Sequence, residues 1–307
     1  MKQQVYINSS SLKYATCPLA WKRVILDGYH EGISSAKIVY GSSVHKFLEV
    51  MYKTGSLQQA RDAALLVFRV PKIDDRKSVH MSDERHMLNT CFDVWSNYVN
   101  RKNEEFELMA LPDGSPAVEV TFSLPYYQDD NIEVSLCGTI DKIGKFKDGV
   151  FAIGDWKTTS TYDTGKYLAS YSMSPQLRFY RLALTVMGRL HPESLLGQIG
   201  NSPVGCFIDG IFLKPKSIDN TVSRSEVFMF KDMVEFEASL KHMIVGLSNH
   251  IRDNNFPKLG LVNGACEQRF GKCSFYHACG ADNDKIGELI LKRDFKQKLY
   301  DPLNRQD

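Results

Sequence analysis

Apolar residues at helical spacing dominate the first third of the chain. Between Gly41 and Tyr52 they recur every three or four residues, at Val44, Phe47, Leu48 and Met51. From about Asp83 to Asn100 the same spacing is kept by Leu88, Phe92, Trp95 and Val99. Each stripe predicts a helix that buries one face. The serines at positions 9–11 predict the N-cap of a shorter helix that begins near Leu12.

The spacing changes from helical to alternating near Pro116. Apolar and polar residues alternate through Val118, Val120, Phe122 and Leu124, as is typical of a half-buried strand. A turn signal at 129–131 is followed by a strand pattern from Ile132 to Phe146. A second turn signal at 147–149 precedes a third strand from Val150 to Thr158. The two turns predict a three-stranded antiparallel meander.

The rest of the chain alternates between helices and strands. Helices are predicted from Met173 to Leu190 and from Met233 to Ile251, and strands from Gly205 to Leu213 and from Glu226 to Phe230. This order predicts an α/β fold with a mixed central β-sheet, made of the meander, a helix and two further strands, and flanked by helices. Because we find no internal repeat or low-complexity linker, we expect a single domain over residues 1–307.

Composition and charge leave the class of protein open. Hydrophobic residues make up 43% of the 307 positions and charged residues 24%, as in ordinary soluble proteins. The net charge of +2 neither indicates nor excludes a nucleic-acid partner. No apolar run approaches the ~20 residues that span a bilayer, and the N-terminus lacks the apolar segment of a secretory signal. We therefore expect a cytoplasmic protein with no membrane partner.

Four of the seven cysteines have the spacing of a metal site. An odd number of cysteines without an export signal favours a reducing compartment, where clustered thiols more often bind metal. Cys266, Cys273 and Cys279 share one short segment, and Cys17 could be the fourth ligand if the two ends of the chain meet. Zinc or an iron–sulfur cluster would suit these thiolates, and His277 could compete as a ligand. The remaining cysteines lie in apolar patterns and are expected in the core: Cys91, Cys137 and Cys206.

Two aspartates and a lysine are predicted on neighbouring strands of the meander. Asp155 and Lys157 lie two residues apart, so both side chains point to one face of their strand, and Asp141 precedes them on the antiparallel neighbour. Neighbouring buried carboxylates repel, and a divalent cation such as Mg²⁺ removes that cost while it lowers the pKa of a bound water. The lysine could orient that water or stabilise charge on a phosphate. An exposed Asp–Lys pair is the alternative, since such pairs are common on strands.

The motifs around these residues resemble those of a nuclease family. The sequence contains GSSVH ending at His45, GTID ending at Asp141, GDWKTT around Asp155, and SPQLRFYRLA with Gln176 and Tyr180. In this order they are similar to the successive motifs of the RecB/AddB-like branch of the PD-(D/E)XK nucleases. The resemblance extends from about Ser9 to Gly280. It implies a restriction-endonuclease-like core and a metal-dependent DNA nuclease.

The resemblance also implies a role for each matching residue. Asp141 and Asp155 would bind Mg²⁺ or Mn²⁺ together with His45 and the backbone carbonyl of Trp156. Lys157 would be the catalytic lysine.

The family resemblance implies roles for three further residues, and each has a structural alternative. Gln176 and Tyr180, four residues apart on one helix face, would position the DNA strand or the attacking water, with helix packing as the alternative. Glu119, on the polar side of the first strand of the meander, is a candidate for a further metal ligand. The alternative is an exposed strand glutamate.

The cysteines match a subset of these nucleases that carries an iron–sulfur cluster. In that subset one cysteine precedes the nuclease motifs and three follow them, and SSLKYATCPLAW around Cys17 is similar to the N-terminal motif. The resemblance therefore implies a [4Fe–4S] cluster, with Zn²⁺ as the alternative. The gap between Cys266 and Cys273 departs from the C-x2-C pair of several relatives, which puts Cys266 in question as a ligand.

The matches divide the expected domain into four parts. An N-terminal helical part covers about 1–110 and a nuclease core about 111–255. A cysteine-rich segment at about 256–285 closes onto Cys17, and 286–307 form a tail. Compact stand-alone copies of this family occur in phages, so the host cytoplasm is the expected location for a phage-encoded protein.

The predicted function is that of an exonuclease on DNA in replication, repair or recombination. No helicase P-loop motif is present, so a helicase or recombination protein would be a separate partner chain. The alternative is a non-catalytic DNA-binding or assembly module that keeps an iron–sulfur cluster or zinc. Retention of Asp141, Asp155 and Lys157 favours the enzyme.

Basic and aromatic residues near both ends are candidate DNA contacts. The basic residues are Lys13, Lys22, Arg23, Lys285, Lys292, Arg293, Lys296 and Lys298. Tyr14 and Trp21 could stack on bases if they are exposed. The alternative is a solvated face with helix packing. Because no base-reading motif is present, we expect backbone-led, salt-dependent binding.

Overall fold

The computed structural model describes residues 2–31, 36–69, 81–102, 105–161, 163–213, 221–268 and 271–298. The fold is α/β, with a mixed sheet flanked by helices, as predicted. The strands are β1 (Gln3–Ile7), β2 (Tyr29–Glu31), β3 (Phe106–Leu108), β4 (Val118–Gln128), β5 (Ile132–Phe146), β6 (Phe151–Thr159), β7 (Val204–Phe212), β8 (Thr221–Arg224), β9 (Glu267–Gln268), β10 (Gly271–Lys272) and β11 (Phe295–Gln297).

Helices of very different lengths connect these strands. The α-helices are α1 (Pro18–Trp21), α2 (Ala36–Thr54), α3 (Leu57–Arg69), α4 (Met81–Lys102), α5 (Thr164–Ala169), α6 (Pro175–Leu190), α7 (Leu195–Gly200), α8 (Met233–Arg252), α9 (Gly260–Asn263), α10 (Tyr276–Cys279) and α11 (Asp284–Asp294). Short 3₁₀ helices cover Ser11–Tyr14 and Ser170–Met173, and a π-helical turn covers Lys22–Leu26. Within the described residues, no helix is both long enough and apolar enough to cross a bilayer.

The chain divides into two compact units. The cysteine-bearing unit contains Met1–Gly32, Phe122–Gly138 and Asp232–Gln306. The carboxylate-bearing unit contains Ile33–Thr121 and Thr139–Lys231. Strands β4 and β5 contribute residues to both units.

The sheet of the carboxylate-bearing unit mixes antiparallel and parallel pairs. β5 pairs antiparallel with β3 and with β6, whereas β6 and β7 run parallel along their whole length. β7 then pairs antiparallel with β8. β4 also pairs with β5, which confirms the predicted meander of β4, β5 and β6. All nine residues of β7 are buried, as expected for a strand covered on both faces.

A helical layer of α2, α3 and α4 packs against this sheet. The apolar stripes predicted from the sequence form its core, which also contains Trp156 of β6. The rings of Phe47 and Trp95 lie edge to face with their centroids 5.1 Å apart, and Tyr52 stacks on Trp156 at 5.8 Å. Such aromatic pairs add to the free energy gained by burial. The packing fixes α2 above β6, which places His45 of α2 at the carbonyl of Trp156.

A buried ion-pair network lies within the same unit. The Lys142 ammonium contacts the Asp209 carboxylate and donates to the Tyr98 hydroxyl at 2.6 Å. Arg224 makes two hydrogen bonds to Asp209 at 2.8 and 2.9 Å. Burial lowers the pKa of Lys142 to about 8 although Asp209 opposes this shift. The network connects β5, β7 and β8 with α4.

Gly154 makes room for the buried lysine. A Cβ atom at this position would lie 2.3 Å from Cε of Lys142 and 2.5 Å from the ring of Phe207. These distances are too short for real contacts, and the ring itself is fully buried. The G-D-W-K sequence therefore needs its glycine for the close approach of Lys142.

The cysteine-bearing unit has fewer long elements. Its β1 pairs parallel with the first half of β5, and its β2 pairs antiparallel with β11, which joins the two ends of the chain. β9 and β10 form a short hairpin. A core around Ala20, Phe275 and Leu291 holds these short elements together.

Several sequence predictions differ from the structure in detail. The strand predicted at 226–230 is wrong, because β8 lies at Thr221–Arg224 and Phe228 makes only an isolated bridge to Cys206. The helix predicted near Leu12 is divided into a 3₁₀ helix, the short α1 and the π-helical turn. Pro18 explains this division, since it begins α1 and prevents a continuous helix from Ser11.

Candidate active site and cysteine cluster

Strand register brings the two predicted catalytic aspartates together. The antiparallel pairing of β5 and β6 matches Lys142 with Gly154, so Asp141 and Asp155 each lie one residue beyond this pair. Successive side chains on a strand point to opposite faces. Both aspartates therefore point away from the face that carries Lys142, and both are buried, at 5% and 1% exposure.

His45 lies among oxygen atoms contributed by three strand residues. Its Nδ1 atom is 3.3 Å from Glu119 and 3.5 Å from Asp141, and its Nε2 atom is 3.1 Å from the backbone carbonyl of Trp156. Burial lowers the pKa of the imidazole, but the carboxylates of Asp141 and Glu119 outweigh this and raise it to about 9. Since all three contacts are hydrogen-bond acceptors, they suit a doubly protonated ring.

Glu119 occupies a strained backbone position at the start of β4. Its φ of 52° lies in the left-handed region that residues other than glycine rarely adopt. Such a conformation costs about 1–3 kcal/mol and persists only where the surrounding structure imposes it. The half-buried Glu119 carboxylate faces His45 instead of solvent. This placement argues against the alternative of an exposed strand glutamate.

Asp155 and Lys157 form a close ion pair on β6. Lys157 Nζ lies 2.6 Å from Asp155 Oδ2, yet neither oxygen of this buried carboxylate has a hydrogen bond of good geometry within the described structure. Burial raises the pKa of Asp155 to about 6, because the attraction of Lys157 is outweighed by burial together with the charge of Asp141. A buried carboxylate with unused oxygen lone pairs is suited to accept a cation.

Helix α6 adds Gln176 and Tyr180 to the same site. The Gln176 amide donates to the Tyr180 hydroxyl at 3.0 Å, which fixes the two side chains relative to each other. Burial raises the pKa of Tyr180, and the charges of Asp155 and Asp141 add to this effect. The tyrosine therefore stays protonated and can donate a hydrogen bond. Ser174 caps the helix by accepting from the Leu177 amide, which positions its first turn.

The donor set fits a divalent metal ion. The ligand atoms of His45, Glu119 and Asp141 all lie within 4.8 Å of one another. The Trp156 carbonyl lies 3.1 Å from His45 Nε2, and Asp155 lies opposite Asp141 on the neighbouring strand, close enough for the two charges to interact. Several carboxylate oxygens with one histidine nitrogen suit Mg²⁺ or Mn²⁺. A metal at this site would replace the proton on His45 as the positive charge among the carboxylates.

The four predicted ligand cysteines gather within the cysteine-bearing unit. Burial raises the pKa of Cys266, and the thiols of Cys273, Cys17 and Cys279 raise it further through like-charge repulsion, as expected for close neighbours. The backbone of Cys273 donates to the Cys266 carbonyl at 2.9 Å, which closes the wide gap between these two cysteines. All four thiols are free and partly exposed.

The four thiols are close enough to act on one another electrostatically, and thiolates suit either a zinc ion or an iron–sulfur cluster. A tetrahedral zinc site, with Zn–S bonds of about 2.3 Å, would place its sulfurs about 3.8 Å apart. Arg23 also donates to the Cys279 sulfur at 3.0 Å, which places a guanidinium beside the cysteine cluster.

The remaining cysteines, His277 and the two aromatic candidates for DNA contact differ in how deeply they are buried. Cys91, Cys137 and Cys206 are fully buried in the core. His277 is exposed. Trp21 is 1% exposed, so the prediction that it could stack on bases fails, whereas Tyr14 remains partly exposed.

Comparison with known proteins identifies the family. The profile of the PD-(D/E)XK nuclease superfamily matches residues 9–280, which is most of the chain. The protein therefore belongs to the PD-(D/E)XK nuclease superfamily. No curated protein sequence matches the chain significantly.

Two solved structures are distantly similar. The crystal structure of a candidate exonuclease from Eubacterium rectale aligns over 82% of this chain and 83% of that chain, with 13% identity and a TM-score of 0.40. The crystal structure of SSO0001 aligns over 73% of this chain and 79% of that chain, with 13% identity and a TM-score of 0.28. The family profile, and not these likenesses, carries the assignment.

Proposed function

We propose that the protein is a metal-dependent deoxyribonuclease, and that it acts as an exonuclease. The observation that carries this proposal is the convergence of His45, Glu119 and Asp141 within 4.8 Å, next to the buried Asp155–Lys157 pair. A purely structural cluster would be expected to surround the buried Asp155 carboxylate with hydrogen-bond donors, whereas its one close partner within the described structure is the Lys157 ammonium. Membership of the nuclease superfamily supports the same reading.

The residues of the site can divide the work of phosphodiester hydrolysis. Bound Mg²⁺ or Mn²⁺ would be held by Asp141, Asp155, Glu119, His45 and the Trp156 carbonyl, and would lower the pKa of water and neutralise charge on the phosphate. Lys157 stays protonated because Asp155 and Asp141 raise its pKa against the effect of burial.

The chain's own groups then act on the nucleophile and the phosphate. The Lys157 ammonium can hold a water by hydrogen bonding and stabilise negative charge on a phosphate oxygen. The Tyr180 hydroxyl, oriented by Gln176, can donate to a phosphate oxygen of the strand. These contacts position the strand without reading its sequence.

We also propose that Cys17, Cys266, Cys273 and Cys279 bind a [4Fe–4S] cluster. The mutual repulsion of the four neighbouring thiols supports a bound cationic group, and the similarity of the cysteine motifs to the iron–sulfur-containing nucleases favours the cluster over zinc. The cluster would be structural, because it would connect the N-terminal segment to the C-terminal one. We assign the protein to DNA replication, repair or recombination in the cytoplasm, where a separate helicase would supply unwound strands.

End-labelled DNA tests the proposed activity. The purified protein is incubated with single- and double-stranded substrates labelled at either end, with Mg²⁺, Mn²⁺ or no added metal. We expect metal-dependent shortening of the DNA from an end by the wild type and none by Asp155→Ala. Equal cleavage by the two proteins, or cleavage without metal, would refute the assignment of the site.

A second measurement tests the cysteine cluster separately. Protein prepared without oxygen is analysed for iron, acid-labile sulfide and zinc, and its visible spectrum is recorded. We expect iron and sulfide with a brown colour. Stoichiometric zinc in a colourless, active protein would refute the cluster, show a zinc site at the cysteines, and leave the proposed nuclease activity unaffected.

A further inference from the structure

A pocket of about 400 Å³ opens in the cysteine-bearing unit. It is formed by the first 3₁₀ helix, the π-helical turn, β2, β11 and the loop after Cys273. Its volume falls in the range of pockets that hold small organic groups. None of the residues in the carboxylate site lines it.

Aromatic rings form one side of the pocket. Tyr14, Tyr29, Phe275 and Phe295 all line it. Phe275 and Phe295 stack with their centroids 4.8 Å apart, and the Tyr14 ring is inclined against Phe275 at 6.5 Å. Tyr14, Tyr29 and Phe295 are partly exposed and can offer ring surface to a ligand, whereas the buried Phe275 holds Tyr14 and Phe295 in position by packing. A flat unsaturated group would find favourable stacking here.

Basic and hydroxyl groups form the other side. Lys13, His30, Ser10 and Ser274 line the pocket, and none of its described lining residues is acidic. Lys13 lies 4.7 Å from the centre of the Tyr14 ring, which places a positive charge beside the aromatic surface. This combination suits a ligand with a negative group attached to a flat ring system.

The polar wall is held in position before any ligand binds. Asn8 and Ser11 bond reciprocally: the Ser11 amide donates to the Asn8 side chain at 2.8 Å, and the Asn8 amide donates to the Ser11 hydroxyl at 3.1 Å. His30 contacts the Lys298 carbonyl at 2.9 Å. Because these groups are ordered by local hydrogen bonds, less conformational entropy is lost on binding.

We infer that this pocket binds one unpaired nucleotide of a single DNA strand, with the base against Tyr14 and the phosphate at Lys13. A nucleotide has both the flat ring and the negative charge that the lining calls for. A base inside a duplex is covered on both faces by its neighbours, so the pocket selects unpaired bases. The choice of DNA as the polymer rests on the proposed function, whereas the nucleotide chemistry rests on the pocket alone.

Binding without cleavage tests this inference. The complete Asp155→Ala chain, with the metal content of its cysteines verified, is titrated into fluorescently labelled oligothymidine, and anisotropy is measured at several salt concentrations. We expect Tyr14→Ala in this background to weaken binding by about 5- to 100-fold, the usual loss when a stacking ring is removed. Tyr14→Phe keeps the ring and should bind within about 2-fold of the parent.

The phosphate contact has its own matched pair of variants. Lys13→Ala should weaken binding and reduce the salt dependence by about one phosphate contact. Lys147→Ala removes the same charge from an exposed hairpin turn outside the pocket and should change neither quantity. Equal effects of the two lysine variants would contradict a specific contact at Lys13.

Photocrosslinking locates the base in the chain with an unaltered pocket. Oligonucleotides that carry 5-iodouracil are irradiated with the Asp155→Ala chain, and the crosslinked peptides are sequenced. We expect crosslinks at Tyr14 or Phe295, and their loss when competing oligothymidine is added. Crosslinks confined to other parts of the chain, with unchanged affinity of Tyr14→Ala, would overturn the inference.

The outcome is separable from that of the proposed nuclease activity. If the wild-type protein digests DNA while Tyr14→Ala binds DNA normally, the proposed nuclease activity stands and the proposed nucleotide pocket is refuted. If the protein does not cleave DNA but crosslinks through Tyr14, the proposed nucleotide pocket stands and the proposed nuclease activity is refuted.

Discussion

The two candidate metal sites are built in opposite ways. In the carboxylate-bearing unit, Asp141 and Asp155 come from the middle of long paired strands, and His45 comes from a helix packed above them. In the cysteine-bearing unit, the four ligands lie on short helices, turns and a small hairpin, and all are partly exposed. The sheet can fix the first site without metal, whereas we expect the second to depend on the proposed bound group to hold its short elements together. Variants should therefore affect chemistry at the first site and stability at the second.

The largest expected effect concerns chemistry at the carboxylate site. Lys157→Ala should reduce the cleavage rate by about 10³-fold, because a positive charge aimed at the reacting phosphate is lost. The folded state should be preserved, because the Asp155 pKa is already raised to about 6 and this carboxyl group can take up a proton when its partner Lys157 is removed. Single-turnover cleavage and thermal unfolding are measured together. Lys147→Ala is the control, and a similar loss of activity in both variants would show a general charge effect.

The next effect concerns stability at the cysteine site. Cys17→Ser should lose the bound iron and about 5 kcal/mol of stability, because the cross-link between the two ends of the chain is opened. Cys91→Ala alters a buried cysteine of the other unit and should keep the iron. Iron content and denaturant unfolding are the measurements. A stable, colourless and fully active Cys17→Ser protein would end the contrast between the two sites.

A third variant tests how much the buried ion-pair network stabilises the sheet that carries the carboxylate site. Lys142→Met should destabilise the protein by about 3 kcal/mol, because it leaves Asp209 with a reduced set of partners in a buried position. Lys145→Met, three residues further along the same strand at an exposed position, should change stability by less than about 0.5 kcal/mol. Urea unfolding of both variants gives the comparison. Equal stability of the two would show that the buried network is not required.

Sequence could predict those parts of the molecule that depend on local patterns. The alternation in β4, β5 and β6 and the two turns between them determine the meander, and the D-x-K spacing places Asp155 and Lys157 on one face. The motif resemblance added His45 to this group. The helical stripes likewise predicted α2, α4, α6 and α8, with differences of a few residues at their ends.

Features that depend on distant residues were not predictable in the same way. Lys142 looks like a surface lysine beside Asp141, and its burial depends on Asp209, which lies 67 positions further along the chain. The partly exposed Tyr14 and the buried Trp21 carry similar local signals, and their different exposure depends on tertiary packing. The strained backbone of Glu119 has no signature in the residue type.

The last expected effect concerns the protonation of Asp155 in the carboxylate site when no metal is bound. The pKa of Asp155 is about 6 in the folded protein, compared with 3.8 for an ordinary aspartate. The folded state therefore binds its proton more tightly than the unfolded state does. Stability from this group is complete below about pH 4 and is lost as the pH rises through 6, by about 3 kcal/mol in all.

Asp155→Asn removes this titration and should reverse the usual effect of a mutation in a buried site. In metal-free protein, the variant should gain stability relative to the wild type between about pH 4 and pH 7. Asp130→Asn, at an exposed turn, should follow the wild type throughout. Added Mg²⁺ should then stabilise the wild type more than Asp155→Asn, because the cation binds the carboxylate that the variant lacks. Thermal unfolding with and without Mg²⁺ measures both effects. If Asp155→Asn is less stable than the wild type at pH 7 without metal, the protein itself must stabilise the charged Asp155. The carboxylate site would then not be held ready for a cation, and the contrast with the cysteine site would be lost.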